Sequence, residues 1–167
     1  LLSAQPSRSF DESDLMRIIA LNQCEECDLR KADLSGADMR SGSLANADLR
    51  EANLKDALLA FANMSNAKLR KADLTGVNLS HADLREADLR NSILVGANLE
   101  SALLQDAKLT KSDLHESKLT RAQLNGASLR NSDLTNSNLG KAELTGADLS
   151  NTTLHDANMA KINMMEG

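Results

Sequence analysis

From Leu29 to Met164 every fifth residue is Leu or Met, at 28 consecutive positions without a failure. Two residues before each of them sits a small residue, Ala in 18 of the 28 slots. The exceptions are Cys27, Gly42, Val77, Thr152, Ile162 and five serines, at 92, 112, 117, 132 and 137. The residue between the two is Asp or Asn in 17 of the 28 units. A period of five fits neither common element. On a helix it would smear the Leu residues around the cylinder. On one long strand it would send successive Leu residues to opposite faces. All of them point inward only if the chain turns once per unit. Within a unit a short extended stretch then carries Ala and Leu to one side and Asp or Asn to the other. The two remaining residues make a corner, where Gly36, Gly76, Gly96, Gly126 and Gly146 fall.

The surface residues set the number of units per coil. In the slot after the central Leu, Arg stands at 30, 50, 70, 90 and 130, five of the seven places in one twenty-residue column, and in the other 21 such slots only at Arg40 and Arg85. Twenty residues are four units, so the pattern predicts an all-β solenoid of seven four-sided coils, about 34 Å tall at the usual strand spacing. Composition agrees with a core of Leu and Ala: aromatic residues are 1% of the 167, with Phe10 and Phe61 alone. The run A-(D/N)-L-x-x, as in Ala72-Asp73-Leu74 and Ala97-Asn98-Leu99, resembles the pentapeptide repeat family over about 140 residues. That resemblance implies a right-handed quadrilateral β-helix.

Ahead of the repeats, Asp11-Glu12-Ser13-Asp14 leads into Leu15-Met16-Arg17-Ile18-Ile19-Ala20-Leu21. Ser9 and Glu12 have capping-box spacing. Leu15, Ile18, Ile19 and Leu21 are expected to form a buried stripe. A short helix here would cap the first coil, which otherwise exposes Leu and an unpaired backbone edge. The expected organisation is a polar, frayed tail over 1–10 with Pro6, a capping helix and Cys-x-x-Cys turn over 11–27, and the β-helix over 28–167. No such device follows Met164-Met165-Glu166-Gly167, so the last coil is expected to expose apolar surface or to be plugged by Met165 or another molecule.

Cys24 and Cys27 both fall on the inward register. Zinc would need four ligands and finds no second Cys pair or nearby His. A thioredoxin-like role would need a βαβ context that is lacking. Two buried thiols or one disulfide remain. The Cys24-Glu25-Glu26-Cys27 segment before the first unit resembles exported cyanobacterial members of the family, of the thylakoid lumen or periplasm. That resemblance implies an oxidising compartment and a Cys24–Cys27 disulfide. The chain begins on Leu1 and shows no secretory apolar region, as a mature form or a trimmed chain would. No run of 18 apolar residues is present, so no membrane insertion is expected.

The net charge of −5 argues against general nucleic-acid binding. Folding the chain at period twenty gives net charges of +5, −6, +3 and −4 on four successive faces, which begin in the first coil at 28–32, 33–37, 38–42 and 43–47. The candidate docking face is the first, with Arg30, Arg50, Arg70, Arg90 and Arg130 in its column. Interleaved charge also serves solubility. His81, His115 and His155 do not converge, and Asp113, Glu116 and Asp133 could hold a hard cation weakly. No phosphate loop and no nucleophile with a base is evident. The chain is therefore expected to be a non-catalytic scaffold or interaction protein with no cofactor, an unidentified protein partner and a monomeric state. The alternative is DNA mimicry of the kind directed at gyrase. Two net-basic faces and the lack of a dimerising tail speak against it.

Overall fold

The computed structural model describes residues 10–164. Residues 1–9 and 165–167, including Pro6, Ser9 and Met165, lie outside the described residues. The chain is tied together by parallel bridges between residues twenty apart, recurring every five residues from Gln23↔Ser43 to Glu143↔Asn163. Each coil thus takes twenty residues and carries four bridge positions. Bridging starts at Gln23, one unit before residue 28. The bridges are isolated rather than gathered into longer strands. The reason is local: two residues of every five are spent on a turn, which leaves room for one bridging residue per side.

Backbone hydrogen bonds account for four of the five N–H groups in a unit. Asn53 N–H donates to Ala32 O in the coil before it, at 2.9 Å. Leu54 and Asp56 N–H donate to Asp73 O and Thr75 O in the coil after it, at 2.7 and 2.9 Å. Ala57 N–H closes the turn onto Leu54 O at 3.1 Å. The fifth, Lys55 N–H, donates to the side chain of Asn53, whose Oδ1 lies 3.2 Å away. Asp33, Asp73, Asn98 and Asp133 serve the residues two ahead in the same way. The preference for Asp or Asn follows from this task, because a buried or half-buried amide left unpaired is costly. The last residue of each turn has positive φ, 58° at Lys31 and 61° at Phe61 for example. Gly holds that place without steric cost, at Gly76 (φ 67°) among others.

The interior is a stack of Leu, Met and Ala. Leu29 through Leu144 at the fifth positions are all 2% exposed or less. In the last coil Leu149, Leu154 and Met159 are half-buried and Met164 is 47% exposed. Gly42 breaks the Ala column because a Cβ there would lie 2.5 Å from Asn22 Oδ1. Among the serines in the Ala slots, Ser92 and Ser112 donate to Leu89 O and Leu109 O, each at 2.6 Å. Ser132 donates likewise to Leu129 O. Ser117 and Ser137, each 1% exposed, have hydroxyls without a hydrogen-bond partner.

One helix, α1 (Glu12–Leu21), precedes the coils. Its N-cap is Asp11, which accepts from Ser13 N–H at 2.7 Å, and not the Ser9 of the capping-box pattern. Asn22 ends it in the left-handed conformation and donates to Ile18 O. Only Ile18 is buried, at 1%, with Leu15 half-buried. Ile19 and Leu21, expected inside, are 63% and 64% exposed. The end of a narrow coil buries only the line through Ile18, from which Ile19 lies about 100° around the helix, while Leu21, about 60° around, is the last residue of α1. α1 also takes over backbone duties of a missing coil. Asp28 N–H, which in later coils would donate to a carbonyl one coil back, donates to Asp14 Oδ2 at 2.9 Å. Asp28 O accepts from Asp11 N–H at 3.0 Å.

Candidate interaction faces

The arginine column of the first face is set by the unit itself. Residue i of each unit is the bridging position and residue i+2 follows the buried Leu, so an Asp-Leu-Arg triplet puts carboxylate and guanidinium on the same side. Arg30, Arg50 and Arg90 each grip the Asp two residues earlier in a fork. In all three, Nη2 lies 2.6 Å from a carboxylate oxygen and Nε within 2.8 Å of the other. Such two-point contacts are the geometrically specific form of the Arg–carboxylate pair. Hydrogen bonds from Arg30 hold Asp28 below the usual carboxylate range. Burial pushes Asp48 and Asp88 up, but the bonds from Arg50 and Arg90 outweigh it and leave both lowered. The three arginines are raised in turn. Arg130 follows Ser128 and reaches one coil ahead to Asp148, at 3.5 Å. Arg70 follows Lys68, and no ion pair to it is formed among the described residues.

The structure therefore brings the five arginines into one column but makes them unequal. Most of their charge is spent within the rod. The positive charge of the first face that is not forked to an Asp gathers at Lys68, Arg70 and Lys71, with Lys108 and Lys111 two coils on. The signal was present in the chain as Asp two before Arg. The same fork recurs on other faces, at Asp38–Arg40 and Asp83–Arg85. Arg40 holds Asp38 down at about 2.

Cys24 and Cys27 are 0% and 1% exposed and are joined in a disulfide with Cα atoms 5.2 Å apart. They sit under α1, with Cys24 Sγ 3.2 Å from Asp14 O. Asp14, Cys24 and Cys27 form the only group of three ligand-type side chains within 4.8 Å among the described residues. With both sulfurs in a disulfide, neither is the thiolate a metal would need. Asp113, Glu116 and Asp133 do not converge to that distance. Instead Asp113 pairs with His115, whose Nδ1 is 2.7 Å from its Oδ1. That hydrogen bond, ahead of the opposing burial, raises His115 above 6.5. His155 Nε2 lies 3.1 Å from Asp156 Oδ2, and His81 stacks on Phe61 with ring centroids 4.8 Å apart.

The surface has open hollows rather than enclosed cavities. One lies on the third face, between α1 and Phe61, with Ile19, Ala20 and Ala60 on its apolar side and the Asp38–Arg40 pair, Asn78 and Ser80 on its polar side. A second lies farther along the same face, over Gly140 and Ala160, beside Arg121, Lys141 and Lys161. No helix among the described residues is long and apolar enough to cross a membrane.

Comparison with known proteins bears on this repeat directly. Among solved structures, HetL, a pentapeptide repeat protein involved in heterocyst differentiation regulation in the cyanobacterium Nostoc, is 34% identical. The match covers 85% of this chain and 76% of that one, with a TM-score of 0.34. A pentapeptide repeat protein of the Arabidopsis thaliana thylakoid lumen is 28% identical over 75% of this chain and 68% of its own, with a TM-score of 0.30. QnrB1, a plasmid-mediated fluoroquinolone resistance protein, is 21% identical over 80% and 79%, with a TM-score of 0.31. A search of curated protein sequences finds no match. The family profile for pentapeptide repeats matches in eight copies spread over residues 23–165, and the chain belongs to the pentapeptide repeat family.

Proposed function

We propose that this chain is a non-catalytic, rigid scaffold that presents charged side chains to a protein partner from the sides of a right-handed quadrilateral β-helix. Proteins of the family fold in that form and act as structural or interaction proteins. The observation that carries the proposal is the distribution of chemistry along the rod. The interior is a continuous Leu and Ala stack, and the charged side chains are set on its outside at fixed spacings. Rigid elements of this kind hold an interaction surface in place at little entropic cost on binding. The first face is a docking surface for an acidic partner, centred on Lys68, Arg70 and Lys71 rather than on the forked arginines. The protein acts as a monomer, without nucleic acid and without membrane insertion. α1 and the Cys24–Cys27 turn, residues 11–27, act as its cap.

The experiment is capture of partners from a lumenal or periplasmic extract by the parent protein and by a variant with Lys68, Arg70 and Lys71 changed to Glu. Loss of a salt-sensitive partner from the variant supports the docking face. An unchanged partner list retires it and leaves solubility as the role of these charges. A gyrase supercoiling assay run beside it separates this function from DNA mimicry, which would need acid on most sides of the rod. An exported, oxidising location fits a disulfide at Cys24 and Cys27 and the resemblance of that segment to exported relatives. Alkylation of the protein denatured without reductant, followed by mass measurement, tests it: no alkylation supports the disulfide and with it export, and two alkylated thiols refute it.

A further inference from the structure

The third face, opposite the first, carries two hollows and an unusual set of side chains. At its α1 end, Ile19 and Phe61 are each 63% exposed and line the same hollow. Phe61 is the only Phe, Tyr or Trp within the repeats. It stands at a corner with φ 61°, a conformation that bulky residues seldom adopt. Its ring is held flat against His81, with 1° between the planes. An exposed aromatic ordered by a stack is what a binding anchor requires. Along the same face, Arg121, Lys141 and Lys161 stand one coil apart, about 4.8 Å per coil. They border a hollow of about 280 Å³ floored by Gly140 and Ala160. Of these, Arg121 pairs with Glu100 at 3.6 Å, and no ion pair to Lys141 or Lys161 is formed among the described residues. From residue 118 to 161 this face has no acid, while the faces on either side are net negative.

We propose that the third face is a docking groove for an extended acidic segment of a partner protein. An apolar side chain of the segment enters the hollow between α1 and Phe61. Its carboxylates meet Arg121, Lys141 and Lys161. Phe61 and Arg121 are three coils apart and Phe61 and Lys161 five, about 14 and 24 Å at the strand spacing. An extended chain covers that in about four to seven residues, which sets the spacing between apolar anchor and acids. The acidic neighbouring faces select the kind of partner. A broad anionic surface such as a bilayer would meet them as well, whereas one extended chain lies between them. This groove is separate from the first-face docking surface and lies on the opposite side of the rod.

The test is fluorescence anisotropy with a labelled peptide of this design: Leu-Phe, a Gly-Ser spacer of three residues, then Glu-Glu-Asp-Glu, made in both directions. Lys-for-acid and scrambled versions are the controls. The parent protein binds one direction of the peptide, more weakly as salt rises, and binds neither control. Changing Lys141 and Lys161 to Glu weakens binding by about tenfold, at roughly threefold or more per exposed charge reversed. Phe61→Ser weakens it independently, and Ser41 holds the same corner one coil earlier, so the backbone accepts it. Lys55→Glu with Arg85→Glu, the same charge change on the second and fourth faces, leaves binding within about twofold. The proposal is overturned if that control pair weakens binding as much as the third-face pair, if the third-face pair leaves binding unchanged, or if neither peptide direction binds. Capture of the parent by phosphatidylglycerol vesicles in place of the peptide also overturns it, in favour of a lipid surface. Thermal melts confirm that each variant is folded.

Discussion

Replacing Ser117 by Ala should stabilise the rod, and replacing Ser112 by Ala should weaken it, although the two residues occupy equivalent slots in neighbouring units. Ser117 is 1% exposed and its hydroxyl has no partner, and Ser137, one coil on in the same column, is in the same state. A buried hydroxyl left unpaired costs about 1–3 kcal/mol. Ala removes it and fills the place it fills elsewhere in that column, at Ala97 and Ala157. The loss of one oxygen leaves a small void that offsets part of the gain. A net stabilisation of about 1 kcal/mol for each serine is expected, or about 2–4 °C in Tm for a chain of this size. Ser112 instead donates to Leu109 O at 2.6 Å, and that carbonyl keeps a second donor in Ser112 N–H at 3.0 Å. Its loss strands nothing, so Ser112→Ala costs about 0.5–1 kcal/mol. Paired melts by circular dichroism and calorimetry measure both. Equal destabilisation by the two changes would refute the reasoning, because it would mean that Ser117 has a partner, such as an interior water.

Three further outcomes are expected. Leu89→Ala in the fully buried stack costs about 2–5 kcal/mol, and Leu89→Asp prevents folding altogether, read by loss of a cooperative melt. Removing residues 1–22 lowers Tm or drives end-to-end association, seen by light scattering, since it uncovers the surface under Ile18 and strips Asp28 N–H of the Asp14 carboxylate. His115 titrates above 6.5 by NMR and returns towards it in Asp113→Asn. Because its folded value is raised, its contribution to stability is complete below 6.5 and lost as pH rises through the folded value, while lowered Asp48 and Asp88 contribute above 3.8 and lose that as pH falls.

The coil was legible because its Leu register is strict. That register runs from 29 to 164 without a failure, the arginine column fills five of its seven places, and the bridges fall at the spacing the two imply. What lay beyond the pattern was anything decided by a neighbour one coil away. Gly42 looked like a random small residue until Asn22 was placed against it. Ser112 and Ser117 read alike, yet one bonds and the other does not. α1 was recognisable from its acids and its apolar run, but its buried stripe narrowed to Leu15 and Ile18. The chain alone does not state how little surface the end of a coil presents.

The charge pattern shows the same limit from the other side, since here the missing information was local and could have been read. Counting charges face by face treats each one as available to a partner. A five-residue unit places residues i and i+2 side by side at the surface, so every Asp-Leu-Arg is a closed pair before any partner arrives. Arg30, Arg50 and Arg90 are thereby ordered with Nε and Nη2 on their own Asp, and a new carboxylate that meets the remaining N–H groups also meets that Asp, so the pair offers little net attraction. Lys68-Leu69-Arg70, followed by Lys71, has no such partner within its unit, nor has Lys141 after Leu139-Gly140. Recognition of acids by this rod therefore belongs where the Asp-x-Arg pairing lapses. The strength of an interaction should follow those lapses rather than the length of the arginine column.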